Sequence, residues 1–189
     1  MTKQLRPAEA VDVLKRGHDD VAQLVASLAE TAALRPGLGG GEWSVRDLLG
    51  HLTSWEEYAL SALDAWSAGM TAPIDRALRR DGLDDVNLAA VRAKADQPYE
   101  QIRSDFEAVS RRLRERIGSI SDTAWDAPPT PRFRRSLGVR LGSMLVGVSG
   151  AFGHADSHLG DLRAHLANET DAASDQAGRE PRLRKKRSR

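Results

Sequence analysis

Apolar residues follow a helical spacing along four stretches of the chain. Within residues 11–28, 45–66, 102–120 and 141–166 they recur at alternating steps of three and four. These steps place each apolar set on one stripe of an α-helix, and no stretch alternates at every second residue as a half-buried strand does. Since each stripe needs another apolar surface to cover it, the pattern predicts an all-α protein built as a four-helix bundle.

Breaks in the pattern predict where the helices end and how they are connected. The glycine-rich segment RPGLGGGEW ends the first helix, and Ser44 with Asp47 has the spacing of a capping box for the second. The connection over residues 67–97 is long for a bundle and predicts a short helix around Asp84–Ala95. A second long connection covers residues 126–138. Connections of this length cross over the end of a bundle or form a wall of a ligand site.

Length and charge distribution fit one such bundle followed by a basic tail. Of the 189 residues, we assign 8–168 to the bundle and 169–189 to a disordered tail that ends in REPRLRKKRSR. This ending carries seven basic residues and one acid, which leaves too little apolar surface for folding. The tail is therefore expected to be solvated, and a weak electrostatic contact with nucleic acid is the alternative.

Composition also limits the chemistry. The chain has no cysteine, so disulfides and thiolate metal sites are excluded, and any metal must rest on His, Asp or Glu. No apolar run reaches the ~18 residues that a membrane span needs, and the N-terminus lacks the pattern of a signal peptide. These features predict a cytoplasmic protein that does not enter a membrane.

Three of the five histidines lie in the segment GHADSHLGDLRAHL. If this segment is helical, His154 and His158 lie one turn apart on the same face, so both can point at one ion. The spacing is that of the HExxH zinc proteases, but Ala155 occupies the position of their general base, which excludes that mechanism. Two histidines seldom hold a metal alone, and His51, at the edge of the second apolar stripe, is the best third ligand.

The histidines also have simpler interpretations, and spacing alone does not decide between them. His51, His154 and His158 can be ordinary polar residues of their helices. His18 lies on the first apolar stripe, where it is a bonded core histidine, a further ligand or part of the cavity lining. His165 is expected at the surface.

Several segments resemble the DinB/YfiT-like superfamily of metal-dependent enzymes. GEWSVRDLLGHLTSWEEYAL is similar to the family's second-helix signature, with His51 at its ligand position, and HADSHLGDLRAHL is similar to its H-x-x-x-H helix. AVRAKADQPYEQIRSDFEAVSRRLRERIGSISDTAW resembles the third-helix region, so the likeness covers residues 8–168. The "WE" after the second-helix histidine and the ending SHLGDLRAHL are also similar to the colibactin self-resistance branch, some relatives of which have lost the histidine triad.

The resemblance implies a three-histidine site, formed by His51, His154 and His158, that holds zinc or nickel, often in a homodimer. It also implies small-molecule chemistry with a low-molecular-weight thiol such as mycothiol, which the metal would hold as thiolate. Mycothiol-dependent maleylpyruvate isomerase adds a second domain for which this chain is too short, so isomerase activity is not expected.

Residues near these histidines are candidates for supporting roles. Asp47 and Asp161 lie close in sequence to His51 and His158, where they either orient the rings or act as surface charges. Trp43 and Trp55 either wall a pocket or belong to the core.

The connection before the fourth helix is rich in arginine and glycine. Arg132, Arg134, Arg135 and Arg140 either receive a carboxylate or phosphate of a substrate or form a solvated loop. Glycines at every third position just before His154 indicate a close approach, a kink, or a helix that begins later.

Three functions fit these observations. The first is a metal-dependent enzyme, either a thiol transferase or a detoxifying hydrolase. The second is a self-resistance protein that binds or hydrolyses a reactive, DNA-damaging natural product without a metal. The third is a non-catalytic stress-response or binding protein that keeps the bundle.

Overall fold

The computed structural model describes residues 4–178, and it describes side chains for residues 4–168. Its long helices are α1 (Pro7–Val25), α3 (Val45–Ser67), α6 (Tyr99–Gly118) and α9 (Leu159–Gly178). Shorter helices occupy the connections, namely α2 (Glu30–Ala33), α4 (Pro73–Asp81), α5 (Leu83–Ala93), α7 (Asp122–Asp126) and α8 (Leu137–Met144). The described residues form no β-strand beyond one isolated bridge, so the predicted all-α bundle is confirmed. None of their helices is long and apolar enough to cross a membrane.

Helix α3 lies at the centre of the bundle. It packs chiefly against α6 and also contacts α4, α5 and α8, while α1 covers another side of α6. The apolar stripes predicted from the sequence meet in two core clusters, one around Trp55 and Trp66 and the other around Leu48 and Phe106. Burial on several sides makes α3 a rigid support for the side chains it carries.

The predicted start of α3 is confirmed. Ser44 is the N-cap, its hydroxyl oxygen accepts from the Asp47 backbone N–H at 3.2 Å, and its own N–H donates to the Asp47 carboxylate at 2.9 Å. This reciprocal pair satisfies two donors at the helix end. It fixes the helix about two turns before His51.

The long connection after α3 contains more structure than the sequence predicted. Helix α5 corresponds to the short helix expected around Asp84–Ala95, but α4 was not expected. Helix α4 is tied to α3 because the Trp66 indole N–H donates to the Asp75 carboxylate at 3.1 Å. The two short helices thereby pack against one flank of α3.

The prediction of a single helix over residues 141–166 is wrong. Helix α8 ends at Met144, and the chain then turns back through a tight loop in which Gly147 and Gly150 exchange two backbone hydrogen bonds of 2.9 Å. A Cβ atom on Gly147 would lie 1.8 Å from the Gly153 carbonyl oxygen, so the glycines permit a close backbone approach. The apolar spacing continues across this loop, which is why it looked like one helix.

A single 3-10 turn, Ala155–His158, connects the loop to α9. His154 is the N-cap of this turn and His158 is its last residue, so the two are not one turn apart on a regular α-helix. Helix α9 runs to Gly178, ten residues beyond the domain boundary predicted at residue 168. The basic ending REPRLRKKRSR, predicted as a disordered tail, lies outside the described residues.

Candidate metal centre

The side chains of His51, His154 and His158 converge on one point, although the first lies a hundred residues away in the sequence. One nitrogen from each ring lies within 4.8 Å of the others, and the Nε2 atoms of His51 and His154 are 3.1 Å apart. His51 is buried, while His154 and His158 are partly exposed. Among the described residues, this is the one cluster of His, Asp or Glu side chains with metal-binding spacing.

The donor set fits a zinc-like ion, and so does the separation of its closest pair of nitrogens. Two nitrogens bound to a tetrahedral Zn²⁺ at about 2.0–2.1 Å lie about 3.3 Å apart, close to the separation of the two Nε2 atoms. Without an ion, the same separation suits a hydrogen bond between two neutral rings. Three imidazoles leave the remaining coordination position of such an ion open to water or substrate.

The rings are in the protonation state that a metal requires. Burial, and to a smaller extent the charge of neighbouring histidines, lowers the pKa of His51 to about 3 and that of His154 to about 4. Burial also lowers the pKa of His158, against an opposing effect from Asp161. All three are therefore neutral at pH 7, where a free nitrogen lone pair is available to an ion.

The loop and 3-10 turn that carry two of these histidines are held in place by backbone contacts. The His154 N–H donates to the Leu145 carbonyl at 3.0 Å, and the Val148 N–H donates to the Ser157 hydroxyl at 3.0 Å. Helix α1 presses against the turn at Gly17, where a Cβ atom would lie 2.8 Å from an Asp156 carboxylate oxygen. These contacts hold the turn against α1 and the loop after α8, and the contact between His154 and His51 places it beside α3.

The other sequence candidates take different positions around the three histidines. The Trp43 ring lies 5.0 Å from His51, and the Trp55 ring lies 5.9 Å from His154, so both indoles flank the cluster. Asp47 is engaged by Ser44 and Arg46 at the helix start. The buried Nδ1 of His51 has no partner among the described residues.

Two further histidines lie away from the cluster. His18 is buried and stacks on Phe106 with ring centroids 4.2 Å apart, beside a small cavity that it shares with His154. The expectation that His165 lies at the surface is wrong, because its side chain is 7% exposed and packs near Gly37. The glycine-rich segment around Gly37 packs over α9 and covers His165, a contact that the sequence did not predict.

A pocket of about 450 Å³ opens directly onto the three histidines. Its apolar wall is formed by Trp55, Leu78, Leu83, Met144 and Val146, and its polar wall by Asp75, Asn87, Arg135, Arg140 and Ser143. The pocket is large enough for a small organic molecule. The cluster is therefore accessible to a substrate. Two of the polar lining residues, Asp75 and Asn87, come from α4 and α5, of which the sequence predicted only the second.

Glu56 is a buried ionisable residue that the sequence reasoning missed. It lies on the inner face of α3, 9% exposed, in the small cavity with His18 and His154. The Ser110 hydroxyl is hydrogen-bonded to it and itself accepts from Arg114 at 3.0 Å. Burial raises the pKa of Glu56 to about 8, against the opposing effects of Arg114 and Ser110, so the carboxyl is protonated at neutral pH. An acidic residue inside the apolar stripe of α3 was the signal that could have identified it.

We expect Glu56→Gln to become more stable relative to the wild type as the pH rises. Between the ordinary pKa of 4.5 and about 8, the unfolded wild-type chain loses the Glu56 proton while the folded protein keeps it. The wild-type free energy of unfolding therefore falls through this range by up to about 1.4 kcal/mol per pH unit from this group, and glutamine removes that loss. Urea denaturation across this pH range measures the difference in free energy of unfolding between the variant and the wild type. The histidines titrate in both proteins, so their contribution cancels in that difference.

Glu57→Gln is the matched control for this measurement. The Glu57 side chain is 43% exposed and pairs with Lys94 at 3.1 Å. Its stability difference from the wild type should stay constant over the same range. A Glu56→Gln difference that is equally constant would show that Glu56 is ionised in the folded protein.

The fold is that of the DinB/YfiT-like superfamily. The family model for the mycothiol maleylpyruvate isomerase N-terminal domain matches residues 14–144, and the chain belongs to that family. The matched range includes His51 and ends before His154 and His158.

Two solved structures share the fold. An uncharacterised protein from Escherichia coli UTI89 superposes with a TM-score of 0.73 at 14% identity, covering 89% of this chain and 96% of the other. The colibactin self-resistance protein ClbS, solved in complex with a dsDNA, gives a TM-score of 0.67 at 16% identity, covering 88% of this chain and 98% of the other. The comparison with curated proteins found no match.

Proposed function

We propose that this protein is a metal-dependent enzyme that joins a low-molecular-weight thiol, such as mycothiol, to a small electrophile. The observation that carries the proposal is the convergence of three neutral imidazoles, within 4.8 Å, at the floor of an open pocket. His51, His154 and His158 would hold zinc or nickel. A divalent ion at this place would lower the pKa of a bound thiol and supply the thiolate near neutral pH.

The residues around the cluster suit this chemistry. Trp55 and Met144 present an apolar surface against which the carbon skeleton of an electrophile can pack, excluding water from the reacting sulfur. Trp55 is fixed in this position because its indole N–H donates to the Asn87 side-chain oxygen at 2.9 Å. The chain has no cysteine, so the thiol must come from a cosubstrate.

The test is the rate of thiol conjugation by protein prepared without a histidine tag. In a displacement of chloride from a chromogenic aryl chloride, the sulfur–carbon bond forms, chloride leaves, and the thiol proton passes to solvent. With zinc or nickel loaded, we expect the conjugation rate to level off near pH 7. The rate of a free thiol, with a pKa of about 8.5, instead keeps rising with pH until about 8.5. Equal rates with and without metal, at every pH, would contradict the proposal.

The second candidate is a self-resistance protein that binds or hydrolyses a reactive DNA-damaging product without metal. Its support is the shared fold with ClbS and the basic ending of this chain. Protection of DNA in vitro by metal-free protein, together with no metal-dependent conjugation, would favour this candidate. A protein that does neither would fit the third candidate, a non-catalytic stress-response or binding protein.

A further inference from the structure

The pocket beside the three histidines contains two arginines, one paired with a carboxylate and one unpaired among the described residues. Arg140 is held on three sides, by an ion pair with Asp75 at 2.8 Å and by stacking over the Phe133 and Trp66 rings at 3.7 and 4.8 Å. The other oxygen of Asp75 accepts from the Trp66 indole at 3.1 Å, so the carboxylate is fixed as well. The Arg140–Asp75 pair is therefore an electrically neutral part of the wall.

Arg135 carries the second positive charge, and nothing in the described residues compensates it. Its side chain is exposed, lines the pocket, and has no hydrogen bond or ion pair with any described residue. With Arg140 paired to Asp75, the charge of Arg135 is the one in the pocket lining that no described residue compensates. A bound divalent ion adds to that charge.

Asn87 adds an uncharged donor to the same pocket. Its side-chain oxygen is used by the Trp55 indole N–H, while its amide NH₂ group has no partner among the described residues. Asn87 therefore offers two N–H donors to a bound molecule, while one lone pair of its oxygen is already used. A pocket with an uncompensated guanidinium and a free amide donor is suited to an anionic oxygen group.

We propose that Arg135 is a specificity-determining residue that anchors the anionic group, a carboxylate or a phosphate, of the molecule bound in this pocket. The reacting end of that molecule would face the three histidines, so this part of the inference rests on the proposed function. The substrate class is then a small organic anion with an apolar segment that packs against Trp55 and Met144. Arg134, the adjacent arginine, is exposed but does not line the pocket.

The first test uses metal-free protein, so that it does not depend on the metal site. Succinate, inorganic phosphate and the neutral analogue succinamide are titrated at low ionic strength into the wild type, Arg135→Gln and Arg134→Gln, with tryptophan fluorescence as the signal. We expect succinate or phosphate to bind the wild type, and Arg135→Gln to weaken that binding about tenfold. Arg134→Gln should bind the anions as the wild type does. Whether succinate or phosphate binds more tightly shows whether the pocket prefers a carboxylate or a phosphate.

The second test adds the metal. In the Co²⁺-loaded protein, 3-mercaptopropionate is compared with 3-mercaptopropan-1-ol through the sulfur-to-cobalt absorption band. The wild type and Arg134→Gln should prefer the carboxylate, and Arg135→Gln should lose that preference. If Co²⁺ does not bind, the proposed function fails while the succinate and phosphate result still decides the role of Arg135. Equal anion binding by the two variants, or no preference over succinamide, would overturn the inference.

Discussion

Replacing His51 with alanine is expected to weaken zinc or nickel binding by a hundredfold or more, on the order of the loss of one ligand from a three-ligand site. His51 supplies the donor from α3, and its Nε2 lies 3.1 Å from that of His154. The two histidines that remain lie close in sequence around a 3-10 turn and leave one side of the ion without a protein ligand. Competition with a chromogenic chelator measures the affinity, and circular dichroism checks that the helices persist.

His165→Gln is the control for this substitution. His165 is buried on α9 but is not part of the cluster, so its loss tests whether any buried histidine affects metal binding. We expect wild-type affinity for this variant. If His51→Ala and His165→Gln bind the ion equally well, the metal is held somewhere other than at the three histidines.

Replacing Gly147 with alanine is expected to lower both stability and metal affinity. The added methyl group would lie 1.8 Å from the Gly153 carbonyl oxygen and 2.7 Å from the Ser157 hydroxyl, so the loop after α8 must open. Gly153 directly precedes His154, and opening the loop moves that ring away from His51. Overpacking of this kind costs about 1–3 kcal/mol, which thermal denaturation with and without zinc would detect.

Gly160→Ala is the matched control, because a methyl group there meets no atom within 4 Å. Gly160 lies in the first turn of α9, where alanine is favoured over glycine by up to about 1 kcal/mol. This variant should be at least as stable as the wild type and bind zinc equally well. A Gly147→Ala protein with unchanged stability and zinc affinity would mean that the loop does not position the histidines.

The helices that the sequence predicted well are those with an unbroken apolar stripe. Helices α3 and α6 carry such stripes from end to end, and the cap at Ser44 marks where α3 begins. The fourth predicted helix failed because its apolar spacing continues through the loop around Gly147, where backbone geometry overrides the spacing. Phe152 adopts a φ of +65° in this loop, a conformation that a pattern of side chains does not reveal.

The candidate site was predictable in its residues but not in its surroundings. His51, His154 and His158 could be selected from spacing and from the resemblance, although a 3-10 turn and not a helix brings the last two together. The pairing of Asp75 with Arg140 joins residues 65 positions apart, and only the packing of α4 and α8 against α3 establishes it. The uncompensated charge of Arg135 becomes visible only once that pairing is known.

The most direct test of the central claim is the metal content and ligand set of the protein prepared without a histidine tag. After loading with zinc and removal of excess metal, we expect one ion per chain by elemental analysis. X-ray absorption should then show imidazole scattering from three nitrogens at about 2.0–2.1 Å. Zinc that binds well below one ion per chain, or that binds equally to a chain lacking all three histidines, would contradict the account.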